Sequence, residues 1–161
     1  MLFRSIGAAG KITSGFDMAR VMALGADWCN AARGFMFALG CIQSQSCHTH
    51  RCPVGVATQD RTRQRALVVN DKWVRVKNFH GATLQALKEI VAAAGLDHPN
   101  EFMPAHFSRR VSAREVATYA ELFPTLRPGA LLAGDCDDPR FREAWKMAHP
   151  ASFRPAVAGL K

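Results

Sequence analysis

The chain has 161 residues, of which 48% are hydrophobic and 21% charged, and its formal net charge is +8. These values exclude an intrinsically disordered chain, a collagen-like repeat and a disulfide-dense miniprotein. They leave one globular domain, or part of a larger one, whose positive charge favours anionic ligands.

Leu2–Ile6 is a short apolar run that predicts a buried strand, and Gly7-Ala8-Ala9-Gly10 predicts a tight turn after it. Ser14 with Asp17 three residues on reads as a capping pair. Met18, Ala19, Met22 and Ala23 follow at helical spacing until Gly25. Ala26–Ala31 predicts a second short strand, and Arg33-Gly34 opens a helix over Phe35–Leu39 that Gly40 ends. Strand, helix, strand, helix is the pattern of a parallel α/β sheet. From Cys41 to Asp60 the chain reads as a polar loop.

The clearest helix is predicted over 71–94, where Val76, Phe79, Leu84, Leu87 and Val91 mark one face and Gly95 serves as the C′ stop. Ser112-Ala-Arg-Glu115 has the letters of a capping box and predicts a helix through Leu122 up to Pro124. Asp138-Pro139 opens a last helix over about 140–148, and Pro150–Lys161 carries no element signal. Two strands cannot sustain a parallel sheet alone. The expected fold is therefore α/β: the last two β/α units of a (β/α)8 TIM barrel over 1–60, then a mostly helical C-terminal extension over 61–161. On this reading the chain is a C-terminal piece of a longer fold.

The basic residues are scattered. Arg61, Arg63 and Arg65 alternate and Arg109-Arg110 form a pair, with no block of five or more. A solvated surface is expected rather than a nucleic-acid face. No apolar run approaches the roughly 20 residues that cross a bilayer. The first ten residues lack the apolar length of a secretory signal. A cytoplasmic protein with no membrane and no nucleic-acid partner is expected.

Five cysteines are present, and Cys41, Cys47 and Cys52 fall within twelve residues as C-x5-C-x4-C. Thiolates bind soft metals and iron–sulfur clusters, one cysteine per iron. Three thiolates on one loop suit a three-iron cluster, or a four-iron cluster with a fourth ligand from elsewhere. Zinc held by these cysteines with His48 or His50 is the chemical rival, although zinc sites usually contain a shorter C-x₂₋₄-C step. Three free cysteines are the plain alternative. Cys29, in a predicted strand, and Cys136, in a distant loop, are expected to be unligated.

At this loop the sequence resembles a known family. Ala38-Leu39-Gly40-Cys41, Cys47-His48 and the run from Cys52-Pro53-Val54-Gly55 through Val56-Ala57-Thr58-Gln59-Asp60 closely resemble the iron–sulfur loop of glutamate synthases. Gly10-Lys11-Ile12, Gly15, Leu24-Gly25-Ala26-Asp27 and Arg33-Gly34 resemble the last two units of that family's flavin-binding barrel. The likeness is greatest to the short, FMN-binding members without a glutaminase domain. It is detailed over about residues 1–70 and looser at Phe79-His80 and Gly95–Pro99.

The resemblance implies an oxidoreductase acting on CH-NH2 donors that carries FMN and a 3Fe-4S cluster. In such enzymes electrons from a ferredoxin or NADPH-linked partner reduce 2-iminoglutarate, formed from 2-oxoglutarate and ammonia, to L-glutamate. It implies that Cys41, Cys47 and Cys52 hold the cluster. It also implies that Gly10 and Lys11, with Ala32, Arg33 and Gly34, meet the FMN phosphate, where barrel strands end. The upstream strands that bring the isoalloxazine and 2-oxoglutarate contacts have no counterpart here, so no catalytic acid, base or nucleophile is assigned. The chain is expected to be inactive alone, with a missing N-terminal barrel half as one partner. The alternatives are a non-enzymatic electron-transfer or scaffold subunit of a split enzyme, and a zinc-stabilised basic binding protein.

Overall fold

The structure is a computed structural model that describes residues 5–155. It divides into two units, Met1–Phe123 and Pro124–Lys161. The fold is mixed α/β with two small sheets.

In the first unit, strand β1 (Gly7–Ala9) pairs in parallel with β2 (Trp28–Asn30), and helix α1 (Gly15–Ala23) crosses between them. The register sets Gly7 against Trp28 and Ala9 against Asn30. The strand expected at Leu2–Ile6 begins in residues outside the described set, and the strand observed lies just C-terminal to it. The Gly7–Ala9 part of the expected turn is therefore strand, and the chain turns at Gly10, whose φ is +98°. Asp27 fixes the entry to the pair: its carboxylate accepts from the Ile6 N–H at 2.6 Å, and its own N–H donates to the Ile6 carbonyl at 2.8 Å.

The Ser14–Asp17 pair is a complete capping box at the start of α1. Burial pushes the Asp17 carboxyl up, but hydrogen bonds donated by Ser14 and Thr13 outweigh it and hold the group below the usual carboxylate range. The helix closes in a Schellman motif, with the Gly25 N–H on the Met22 carbonyl and the Ala26 N–H on the Val21 carbonyl.

Helix α2 (Ala32–Ala38) starts earlier than the sequence suggests, so Arg33 and Gly34 lie in its first turn rather than in a loop before it. After the cysteine loop, short α3 (Arg61–Gln64) leads into α4 (Val69–Ala93). With 25 residues, α4 is about 37 Å long. Gly95 ends it as expected: its N–H meets the Ala92 carbonyl, and the Leu96 N–H meets that of Val91. The core lies where α4 and α1 meet: Leu87 and Val91 bury against Ala19 and Ala23, and Phe102, Phe107 and Tyr119 close the cluster.

Of the helix expected from Ser112 through Leu122, only the end at 119–122 is helical. Instead β3 (Ser108–Arg110) and β4 (Val116–Thr118) form an antiparallel hairpin, and 112–115 is its connection. β-Branched Val111 and Val116 flank that turn and favour extended backbone. The Ser112 hydroxyl accepts from the Arg114 N–H inside the turn. The real capping box stands six residues later, Thr118 with Glu121, and starts α5 (Tyr119–Leu122). The strand content after Asp60 therefore exceeds what the sequence suggests.

In the second unit, α6 (Ala130–Ala133) sits between two left-handed glycines, Gly129 and Gly134. Arg127 and Asp135 form an ion pair beside it. Helix α7 (Pro139–Met147) is capped by Asp138, whose carboxylate accepts from the Arg140 N–H at 2.9 Å. This agrees with the expected last helix. Residues 149–155 include an isolated bridge between His149 and Ser152, and the remainder of the featureless tail expected at 150–161 lies outside the described residues.

Candidate cofactor site in the cysteine loop

The parallel register has a direct consequence for the site. Residues that follow β1 and residues that follow β2 leave the sheet at the same end. Gly10-Lys11 and Ala31-Ala32-Arg33 are therefore side by side at the C-terminal edge of the strands, where ligands of α/β folds are held. Lys11 joins Gly10 in the left-handed region, with φ +55°. A Cβ on Gly10 would meet no atom within 4 Å, so the space outside this turn is open. Gly34 is buried, and a Cβ there would come within 2.6 Å of the Phe79 ring on α4. Its small size lets α2 approach α4.

The cysteine loop begins from a fixed point. Helix α2 ends in its own Schellman motif, with the Gly40 N–H on the Phe37 carbonyl and the Cys41 N–H on the Met36 carbonyl. Cys41 is thus held by the helix cap. Beyond it Gln43 and Gln45 both take left-handed φ values of +56°, and Cys47 opens a single 3-10 turn, Cys47–Thr49. Cys41, Cys47, Gln43 and Gln45 share a cavity of about 290 Å³ with Ala32 and Arg33.

Cys52 lies on the same loop and is 4% exposed. The Ala57 N–H is the main cause that holds its thiol below the ordinary range. Burial opposes this, and the N–H groups of Val54, Val56 and Gly55 add to it. Such a ring of amide donors favours a thiolate. By contrast, burial pushes the Cys29 thiol up.

The second half of the loop is stapled by Thr58. Its hydroxyl donates to the His50 carbonyl and accepts from the Asp60 N–H at 3.1 Å. Its carbonyl accepts from the Gln64 side chain at 2.9 Å. Asp60 caps α3 through the Thr62 N–H at 2.8 Å. Gly55 packs so closely on the Arg63 carbonyl that no side chain fits there, and its φ is +75°.

Of the residues singled out in the sequence, the structure gathers Ala32, Arg33, Cys41 and Cys47 on one cavity. Gly10 and Lys11 stand at the same sheet end outside its lining, and Gly34 and Cys52 are buried and do not line it. Among the described residues no three His, Cys, Asp or Glu side chains converge on one point, whether as a Cys₃His set or as Cys41, Cys47 and Cys52 together. A cluster takes one cysteine per iron, and three thiols on one loop with amide donors at one sulfur fit that chemistry. Sequence reasoning missed Thr58, Gln43 and Gln45. Thr58 had a legible signal in its Thr-x-Asp spacing before a helix, and the glutamines had none.

Residues 4–97 match the family model described as the conserved region in glutamate synthase. The chain belongs to the glutamate synthase family. It is 45% identical over 99 residues to the glutamate synthase large subunit-like protein YerD of Bacillus subtilis (strain 168), covering 62% of this chain and 19% of that protein. It is 33% identical over 129 residues to the NADH glutamate synthase of Schizosaccharomyces pombe, covering 75% of this chain and 6% of that protein. It is 36% identical over 89 residues to ferredoxin-dependent glutamate synthase 2 of Synechocystis, covering 55% of this chain and 6% of that protein. This glutamate synthase family chain therefore spans less than a fifth of the relatives named. Among the described residues no helix is long and apolar enough to cross a membrane.

Proposed function

We propose that this chain forms the end of a (β/α)8 synthase barrel and carries the phosphate side of an FMN site and the ligands of a 3Fe-4S cluster. The observation that supports this is the shared cavity, which sets Ala32 and Arg33 beside Cys41 and Cys47 at the ligand end of the two parallel strands. Cys41, Cys47 and Cys52 would hold the cluster, and Gly10, Lys11, Ala32 and Arg33 the phosphate. Bound there, FMN would supply hydride chemistry and the cluster one-electron transfer.

The chain's own residues bind and orient. The α2 cap fixes Cys41, the Thr58 staple holds the loop that carries Cys52, and the amides around the Cys52 sulfur offset negative charge. Lys11 and Arg33 supply positive charge for a phosphate. In the complete enzyme the reaction is reduction of 2-iminoglutarate, from 2-oxoglutarate and ammonia, to L-glutamate. A ferredoxin or NADPH-linked protein is the electron donor, and the remaining barrel supplies the substrate contacts.

Anaerobic purification of the full chain, with iron and acid-labile sulfide assays and electron-paramagnetic resonance, tests this. Brown protein with the signal of an oxidised three-iron cluster is expected, and Cys47→Ser should abolish the signal. Unchanged iron content and signal in that variant would sink the assignment.

A further inference from the structure

Arg33 is an exposed cation on the wall of the cavity that Cys41 and Cys47 share. No Asp or Glu lines that cavity, and among the described residues Arg33 takes part in no ion pair. Negative charge facing the cavity would give this cation a partner.

We propose that Arg33 is a positioning residue for charge at the cysteine loop: its guanidinium faces the Cys41–Cys47 cavity, stabilises the reduced state of the cluster held there and so raises its reduction potential. The inference rests on the cluster reading above. One electron from an external reductant adds one negative charge at the cluster, and Arg33 neither gains nor loses a proton. A guanidinium keeps its charge at every accessible pH, so its attraction for that extra charge is permanent. Net charge and hydrogen bonding near a cluster are among the levers that set its potential.

The test is a mediated potentiometric titration of the full chain with its cluster loaded, followed by electron-paramagnetic resonance. At the potential where the unmodified protein is half reduced, Arg33→Gln should show about a tenfold lower ratio of reduced to oxidised cluster, equivalent to 59 mV for one electron. Arg33→Lys should restore most of the potential. Arg33→His makes the charge switchable within one protein, and its potential should fall as pH rises through about 6.5, more steeply than in the unmodified protein. A loaded cluster whose potential is unmoved in Arg33→Gln, with only FMN affinity weakened, assigns Arg33 to the phosphate alone and overturns this inference but not the cluster. A full chain that takes up no iron and sulfide overturns both. Failure of Arg33→Gln to load leaves the decision to Arg33→His, where a pH response no steeper than that of the unmodified protein overturns the inference.

Discussion

Gly15 stands directly against the main chain of Leu87: a Cβ on Gly15 would come within 2.6 Å of the Leu87 amide nitrogen and 3.0 Å of the Ala86 carbonyl carbon. Gly15 is the first residue of α1, and Leu87 is one of the two buried anchors of α4. The helix that joins the two parallel strands is thus seated backbone to backbone on the long helix. Gly15→Ala should destabilise the chain by roughly 1–3 kcal/mol, the usual cost of overpacking. Chemical denaturation checks this. A midpoint unchanged from the parent would mean that α1 can slide on α4 without loss.

The loop that carries Cys52 depends on one hydroxyl. Thr58 is 8% exposed and links the His50 carbonyl to the Asp60 N–H. Thr58→Val keeps the shape and removes both bonds, leaving two main-chain groups without their partner. A cost of about 1–3 kcal/mol is expected. In cluster-loaded protein, iron should also be lost faster to a chelator. Equal chelation rates in parent and variant would show that the staple does not hold the ligand loop.

Acid sensitivity should appear at the start of α1. The folded Asp17 carboxyl lies below its ordinary range, so its contribution is complete at neutral pH. It is lost as pH falls through the ordinary carboxylate range and then through the lower folded value. Asp17→Ala should cost about 1 kcal/mol at pH 7, the scale of a capping interaction. The difference from the parent should shrink toward zero in strong acid. Melting curves of both proteins across that range measure it, and a gap independent of pH contradicts the assignment.

Local signals carried the sequence reading furthest. Ser14 with Asp17 and Gly95 after α4 became the cap and stop they resemble, because each acts through main-chain atoms within four or five residues. Ser112 and Glu115 have the same spacing of hydroxyl and carboxylate and became a hairpin turn, because the extended backbone at Val111 and Val116 and the later Thr118–Glu121 box compete for the same segment. Gly34 read as a phosphate turn, and the packing shows it as the place where Phe79 crosses α2. That contact joins residues 45 positions apart in sequence, and no local pattern encodes it. The three cysteines were legible as a close set in the sequence. Their division into two that line a cavity and one buried among amides was not, because left-handed backbone at Gln43, Gln45 and His50 shapes the loop.

The N-terminal half of α4 carries apolar surface beyond what its core contacts use. Val69 is 69% and Trp73 is 55% exposed. With Phe35, Leu39 and Val76 they line an open groove of about 620 Å³. Contiguous apolar surface of this kind promotes association. The purified chain should self-associate in a concentration-dependent way, and Trp73→Glu should weaken that association. Light scattering across a dilution series measures it. Association as strong in the variant as in the parent would place the contact elsewhere.

Flavin affinity follows from the size of the cavity. Pockets that hold ligands of this size enclose roughly 300–1,000 Å³ and cover most of the ligand surface. The cavity beside Arg33 encloses about 290 Å³, and its wall is already shared with Cys41 and Cys47. The turn at Gly10 and Lys11 is open to solvent on its outer side. These groups can meet a phosphate, whereas an isoalloxazine ring would keep most of its area in water. The chain by itself should therefore bind FMN weakly, and inorganic phosphate should compete on nearly equal terms per site. Adding a polypeptide that contains the further barrel strands proposed above should tighten FMN binding and leave phosphate binding nearly unchanged, because only the ring gains new contacts. Titration of FMN into the chain and into the mixture, read by flavin fluorescence, separates the two terms. Tight FMN binding by the chain alone, unaffected by phosphate, would show that its own residues hold the ring.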